Sequence, residues 1–198
     1  MPARRHTVRD QRGLTLVELT MTIFLLGIVM SICVQVFITI GRSVQTTDQT
    51  SQNTDQARLA VQQIDRQIRS GNVLYDPAAE TPAGLALRVY TQSNGDQRCV
   101  QWRITNGTLQ TRSWSESWTV DGDVSGWRNV AQGLVNTTSA PAFALDSGSG
   151  FGDRLINIRV LVNADLVHQK TVEFKASVTG RNTEYGYSKT ICNVIPAA

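Results

Sequence analysis

Histidine and cysteine are scarce in this chain: two histidines and three cysteines in 198 residues. His6 sits in the basic N-terminal stretch and His168 in a predicted turn between strands. No Cys/His cluster has metal-ligand spacing. No glycine-rich loop is placed to cradle phosphate, and no nucleophile elbow occurs. The acidic residues are scattered through predicted loops, without a pair suited to acid–base work. A lone histidine in a turn reads as solvated surface. The sequence therefore predicts no active site, no cofactor and no metal centre, and a protein that is not an enzyme.

Charge of one sign is missing too, once its location is considered. The formal net charge is +3, from 19 basic and 16 acidic residues. Arg4, Arg5, Arg9 and Arg12, offset by Asp10, carry all of it; without them 15 residues of each sign remain. A neutral body with no basic stripe has no electrostatic footprint for nucleic acid, which is not an expected partner. Proline is absent from Pro2 to Pro77, so nothing in that stretch obliges a helix to break.

What is present instead is one apolar run. Gly13 to Ile40 reads GLTLVELTMTIFLLGIVMSICVQVFITI, and Leu19 to Gly41 carries no charge. As a helix, Leu19 to Gly41 spans roughly 35 Å, enough to cross a bilayer. Arginines close before a span stay cytoplasmic, which places the body outside. Of the cysteines, Cys33 falls in the span. Cys99 and Cys192 fall in the body, in an oxidising space, and suggest one disulfide; two separate buried thiols are the alternative.

Glu18 does not fit a plain anchor. A carboxylate in hydrocarbon costs about 2.5–3.5 kcal/mol on insertion scales, so it calls for a charged partner, most simply a free amine made by cutting before Leu14. A secretory signal would have a shorter apolar region and small residues before its cut. A lipoprotein signal would place small residues before cysteine, and Met30-Ser31-Ile32 before Cys33 fits poorly. A basic leader, Gly13, apolar Leu14 and Glu18 four residues later, followed by an uninterrupted apolar helix, resemble the N-terminus of type IV pilins and type II secretion pseudopilins. The resemblance covers about the first 60 residues well.

The resemblance implies an α+β, pilin-like fold, with a long N-terminal helix whose membrane-spanning N-half continues into a C-half packed on an antiparallel sheet. It implies a cytoplasmic leader at 1–13, a transmembrane and assembly helix at 14–41, an amphipathic continuation at 42–70 and an exported β domain at 71–198. It also implies that prepilin peptidase cuts between Gly13 and Leu14 and that the new amine of Leu14 is methylated. Glu18 would pair with that amine on a neighbouring subunit during assembly. Other pilin or pseudopilin subunits, an inner-membrane assembly platform and membrane lipid are the implied partners. The protein would reside in the cytoplasmic membrane as a single-pass chain, then in a periplasmic or extracellular filament. Leu14 replaces the commoner phenylalanine, and Gln35 stands where many major pilins have proline. With the Ala57–Gly71 pattern, this looks like J-type minor pseudopilins and W-type minor pilins.

Beyond the span, Ala57, Val61, Ile64 and Ile68 mark one apolar helical face, expected to lie on a sheet. Residues 71–84 read as a loop with two prolines and two glycines. Leu85–Tyr90, Val100–Ile104 and Thr108–Trp114 alternate with period two, joined by Asn94-Gly95 and Asn106-Gly107, and predict a three-stranded meander. Residues 136–153 read as a loop around a short apolar piece at 142–145. Ile156–Val162 and Val172–Val178 predict two more strands, followed by a last segment, Tyr185–Ile195. Asp121 and Asp123 in D-G-D-V-S-G resemble the start of a calcium loop, but Gln132 stands where a bidentate glutamate would close it; a polar turn is the default. Trp114, Trp118 and Trp127 around it read as packing rather than a ligand platform.

Two functions compete. One is a minor pilin or minor pseudopilin that primes or caps a filament. The other is a pilin-anchored or merely membrane-anchored binding module, such as an adhesin or DNA-uptake receptor. Adjacent reading frames with similar leaders would favour the first.

Overall fold

The computed structural model describes residues 15–93, 95–148, 150, 152–165, 170–180 and 186–197. The expected cut at Gly13 and Leu14, the turn residue Asn94 and the lone His168 lie outside them. Two units are distinguished, Met1–Gln45 and Thr46–Ala198.

Helix α1, Leu16–Arg69, passes from the first unit into the second. The polar stretch 42–56 is weak helix-forming material, yet with no proline or glycine in 42–69 the backbone ladder continues. Ser70 ends it, its hydroxyl donating to Arg66 O at 2.8 Å. Gly71 then opens a strand rather than a loop. A methyl group there would lie 2.9 Å from both Ile68 O and Val89 Cγ1, so the chain reverses against the sheet only with glycine.

The described strands are β1 (Gly71–Leu74), β2 (Ala86–Thr91), β3 (Arg98–Thr105), β4 (Thr108–Trp114), β5 (Arg128–Ala131), β6 (Phe143–Leu145), β7 (Leu155–Asp165) and β8 (Lys170–Thr179). They form an antiparallel five-stranded sheet in the order β1-β2-β3-β4-β5 and a three-stranded sheet β6-β7-β8. The expected meander is the β2-β3-β4 centre of the larger sheet. At the β3–β4 turn, Asn106 has φ 48° and Gly107 φ 70°, the left-handed pair a tight hairpin requires. The two sheets are stitched by main-chain bonds through residues 133–135: Leu134 N to Gly107 O at 2.9 Å, Val135 N to Leu161 O at 2.9 Å and Asn163 N to Gly133 O at 2.8 Å.

The C-half of α1 packs on this β structure, giving an α+β, pilin-like arrangement. Ala57, Ala60, Ile64 and Ile68 are buried with Leu87, Val89, Val100, Trp102 and Ile104 of the large sheet and Ile156, Ile158 and Val160 of the small one. The buried face differs slightly from the expected one: Val61 is only half-buried, while Ala60 and Gln67 join the core. Gln67 is there because Trp102 needs it. The indole Nε1 donates to Gln67 Oε1 at 2.7 Å, and both side chains are buried. Gln67→Leu strands the indole N–H in the core and is expected to cost about 1–3 kcal/mol. Adding Trp102→Phe removes the stranded donor, so the double variant should lose less than the sum of the two singles in urea melts. Strict additivity would mean that the bond contributes nothing.

The outer face of the large sheet is covered by the C-terminal segment 186–197. Val73, Tyr90, Cys99, Trp114 and Cys192 form a second buried cluster there. Cys99 and Cys192 are joined by a disulfide, with Cα atoms 5.8 Å apart. This segment contains no strand or helix among its described residues. Side chains hold it instead: Arg88 donates to Cys192 O, Arg112 to Pro196 O at 2.8 Å and Ala197 O at 3.0 Å, and Trp118 to Val194 O at 3.0 Å. Tyr75 Oη accepts from Cys192 N at 3.0 Å.

Candidate functional site

Two regions carry the features that bear on function: the start of α1, and the 115–127 loop with its aspartates. In the first, Thr15 precedes the helix and its Oγ1 accepts from the Glu18 backbone N–H at 3.3 Å, while Leu19 N donates to Thr15 O at 3.1 Å. Thr15-Leu16-Val17-Glu18 is thus a helix-starting sequence with a hydroxyl cap and an acidic residue in the first turn. The T-x-x-E spacing was available in the sequence and names Thr15 as the positioning residue. Glu18 therefore sits where the helix begins, beside the N–H groups of the first turn, and on an exposed surface.

The side chains that follow are exposed. Every residue from 16 to 45 is exposed; Leu16 is 80% and Phe37 76% accessible. The mean hydropathy of this segment reaches 2.6, and it is long and apolar enough to cross a membrane. The hydroxyls within it are bonded back to the helix: Thr20 to Val17 O at 2.9 Å, Thr22 to Leu19 O at 2.8 Å, Ser31 to Ile28 O at 2.8 Å and Thr39 to Gln35 O at 2.9 Å. That arrangement suits hydrocarbon, where no water is available to accept from them. Cys33 is an exposed free thiol in the same segment.

The aspartate loop is self-contained. A short helix α2, Trp118–Asp121, ends at Gly122 with φ 70°. Asp121 accepts from Ser115 Oγ, from Ser117 Oγ and from Asp123 N. Asp123 takes a bidentate pair from Arg98, at 2.8 Å for each arm. These donors hold both carboxyls below the usual carboxylate range, Ser117 first for Asp121 and Arg98 first for Asp123. Both carboxylates are thus hydrogen-bonded within the loop and to Arg98 of the sheet. Among the described residues no group of three or more His, Cys, Asp or Glu could hold a metal ion.

The tryptophans divide. Trp114 is buried beside the disulfide and Trp118 is half-buried over Val194. Trp127 is half-buried under two guanidinium groups. Sequence reasoning missed the arginines that clamp the C-terminal segment. Arg88 and Arg112 share one face only through the cross-strand register Arg88↔Gln101↔Arg112.

Comparison with known proteins places residues 8–34 in the family model described as the prokaryotic N-terminal methylation motif. The match begins ahead of Gly13 and ends within the exposed apolar segment of α1, so it includes Gly13, Leu14, Thr15 and Glu18. No curated protein and no solved structure matches the chain.

Proposed function

We propose that this protein is a minor pilin or minor pseudopilin of J-type or W-type character, a structural subunit that primes or caps a type IV pilus-like filament. The observation that carries the reading is the coincidence of the methylation motif at 8–34 with a helix whose N-half buries nothing of itself. An unpartnered apolar helix needs lipid before assembly and the helices of neighbouring subunits afterwards. Cutting between Gly13 and Leu14 removes the four leader arginines that hold the N-terminus in the cytoplasm. It leaves an ammonium at Leu14, four residues from Glu18. Lifted out of the bilayer, Glu18 and the Leu14 amine of the adjacent subunit neutralise each other in a low-dielectric bundle. The β domain then lies outside the membrane, where the Cys99–Cys192 bond forms and persists. The absence of a proline at Gln35 and the helical pattern at 57–71 support a minor subunit over a major one.

Processing tests the reading at its first step. The membrane-extracted protein should have the mass of a chain starting at Leu14, increased by one methyl group. Gly13→Leu should give the full-length mass, because a bulky residue obstructs the scissile bond, whereas Gly13→Ala should be cut in part. A full-length wild-type mass in cells with active prepilin peptidase would refute processing and leave a plain anchored domain.

A further inference from the structure

The outer face of the large sheet holds a second feature that the assembly reading does not use. Register places Arg88 on β2, Gln101 and Arg103 on β3 and Arg112 on β4 of this face. With Glu80 and Trp127 they line a cavity of about 310 Å³ beside the C-terminal segment. The arginines are not equivalent. Arg88 is paired with Glu80 at 2.8 Å, and that carboxylate is itself buried. Arg103 and Arg112 share the Trp127 ring, their Cζ atoms 3.7 and 4.4 Å from its centroid.

Among the described residues neither of those two meets a carboxylate. Arg112 donates only to neutral oxygens, those of Gln101, Pro196 and Ala197. Arg103 donates from Nε to Gln110 Oε1 at 3.0 Å, and its terminal nitrogens have no acceptor there. The Trp127 indole N–H is buried and, among the described residues, is also without an acceptor. Burial, with Arg103 beside it, pulls the Arg112 guanidinium below its ordinary value. Two like charges thus line one cavity together with the Trp127 ring, and among the described residues its one lining carboxylate, Glu80, is already taken by Arg88.

We propose that this cavity is an oxyanion-binding site, with Arg103 as the principal ligand, Arg112 as a supporting donor, the Trp127 ring as its wall, and a carboxylate or phosphate group as its occupant. A guanidinium fork matches the two oxygens of either group, and a partly desolvated pair of cations gains most from an anion placed between them. The occupant is either a free ion or the acidic side chain of a neighbouring chain. The site stands independently of how the N-terminus is processed.

The test is a titration of the full chain in detergent micelles with 15N-labelled tryptophan. Inorganic phosphate and glutarate are added separately at constant ionic strength, and the Trp127 resonance is assigned with Trp127→Phe. The Trp127 indole resonance should move saturably, while that of buried Trp102 stays fixed and reports an intact fold. Arg103→Gln should weaken binding about tenfold or more, the scale of one charge-assisted hydrogen bond; Arg103→Lys, which keeps the charge but loses the fork and its stacking on Trp127, should bind more weakly than wild type and more tightly than Arg103→Gln. Saturation by phosphate alone identifies a free ion as the occupant. Comparable saturation by glutarate identifies a side-chain carboxylate. No saturable movement with either probe, or equal binding by Arg103→Gln, overturns the proposal and leaves the cluster as packing.

Discussion

Glu18→Ala is expected to yield a protein that is cut, methylated and held in the membrane, but depleted from sheared filaments on the order of a hundredfold. The helix-starting role of Glu18 and the pairing proposed for it have different magnitudes, and that separates them. As an acidic residue in the first turn of α1 it stabilises the helix start, an effect of about 0.3–1 kcal/mol. As the partner of a buried ammonium, its removal leaves a charge uncompensated, which costs about 3–5 kcal/mol. At roughly 1.4 kcal/mol per tenfold, only the second accounts for a hundredfold loss. Thr15→Ala is the matched control. It removes the hydroxyl that accepts from the Glu18 N–H and should cost about 1 kcal/mol of helix start, with filament incorporation reduced a few-fold at most. The readout is the ratio of sheared to membrane pools by immunoblot. If Glu18→Ala partitions like wild type, or if Thr15→Ala matches its defect, Glu18 serves only to start the helix.

The elements legible in the sequence are those that carry their own periodicity. The long helix, the β2-β3-β4 meander and the pair β7-β8 each repeat an apolar position often enough to declare a face. The elements that are not legible are short. β1 lies in a proline- and glycine-containing stretch that reads as a loop, and β6 in an apolar piece flanked by loop residues. β5 has no strand pattern of its own. At three or four residues each, their conformation is set by the partner strand's hydrogen bonds rather than by any alternation in their residues. The C-terminal segment is the extreme case: it has no ladder, and its placement depends on Arg88 and Arg112, far away in sequence. The arginine cluster shows the same limit. A body that is neutral on average still gathers three cations on one face, because register, not composition, decides which residues become neighbours. At the N-terminus the situation is reversed. The proposed cleavage and pairing would depend on residue types at fixed spacing, and the motif match over residues 8–34, which spans Gly13, Leu14 and Glu18, rests on the order of residues alone.

Replacing both Cys99 and Cys192 by alanine is expected to release the C-terminal segment and to lower the thermal midpoint of the β domain by about 10 °C. Both cysteines are fully buried in the second core cluster, against Val73, Tyr90 and Trp114. Their bond closes a loop with a sequence separation of 93, for which the chain-entropy model gives about 4–5 kcal/mol. For a domain of this size, 1 kcal/mol moves the midpoint by about 2–4 °C. The segment itself should respond more than the domain. Ordering residues 186–197 costs on the order of 1 kcal/mol or more per residue. The bonds from Arg88, Arg112 and Trp118 return about 0.5–3 kcal/mol each, so the covalent tie is a large share of what seats the segment. Limited proteolysis should therefore cut the Cys99→Ala/Cys192→Ala variant within 186–197 first, while the sheet stays protected, and dithiothreitol should reproduce this in the wild type. Peptide mapping without reductant should recover the two cysteine peptides as one species from the wild-type protein. Recovery of both as free thiols would remove the bond from the native protein. Equal protection of 186–197 in the variant would show that the arginine bonds and the packing of Tyr187 and Ile191 hold the segment by themselves.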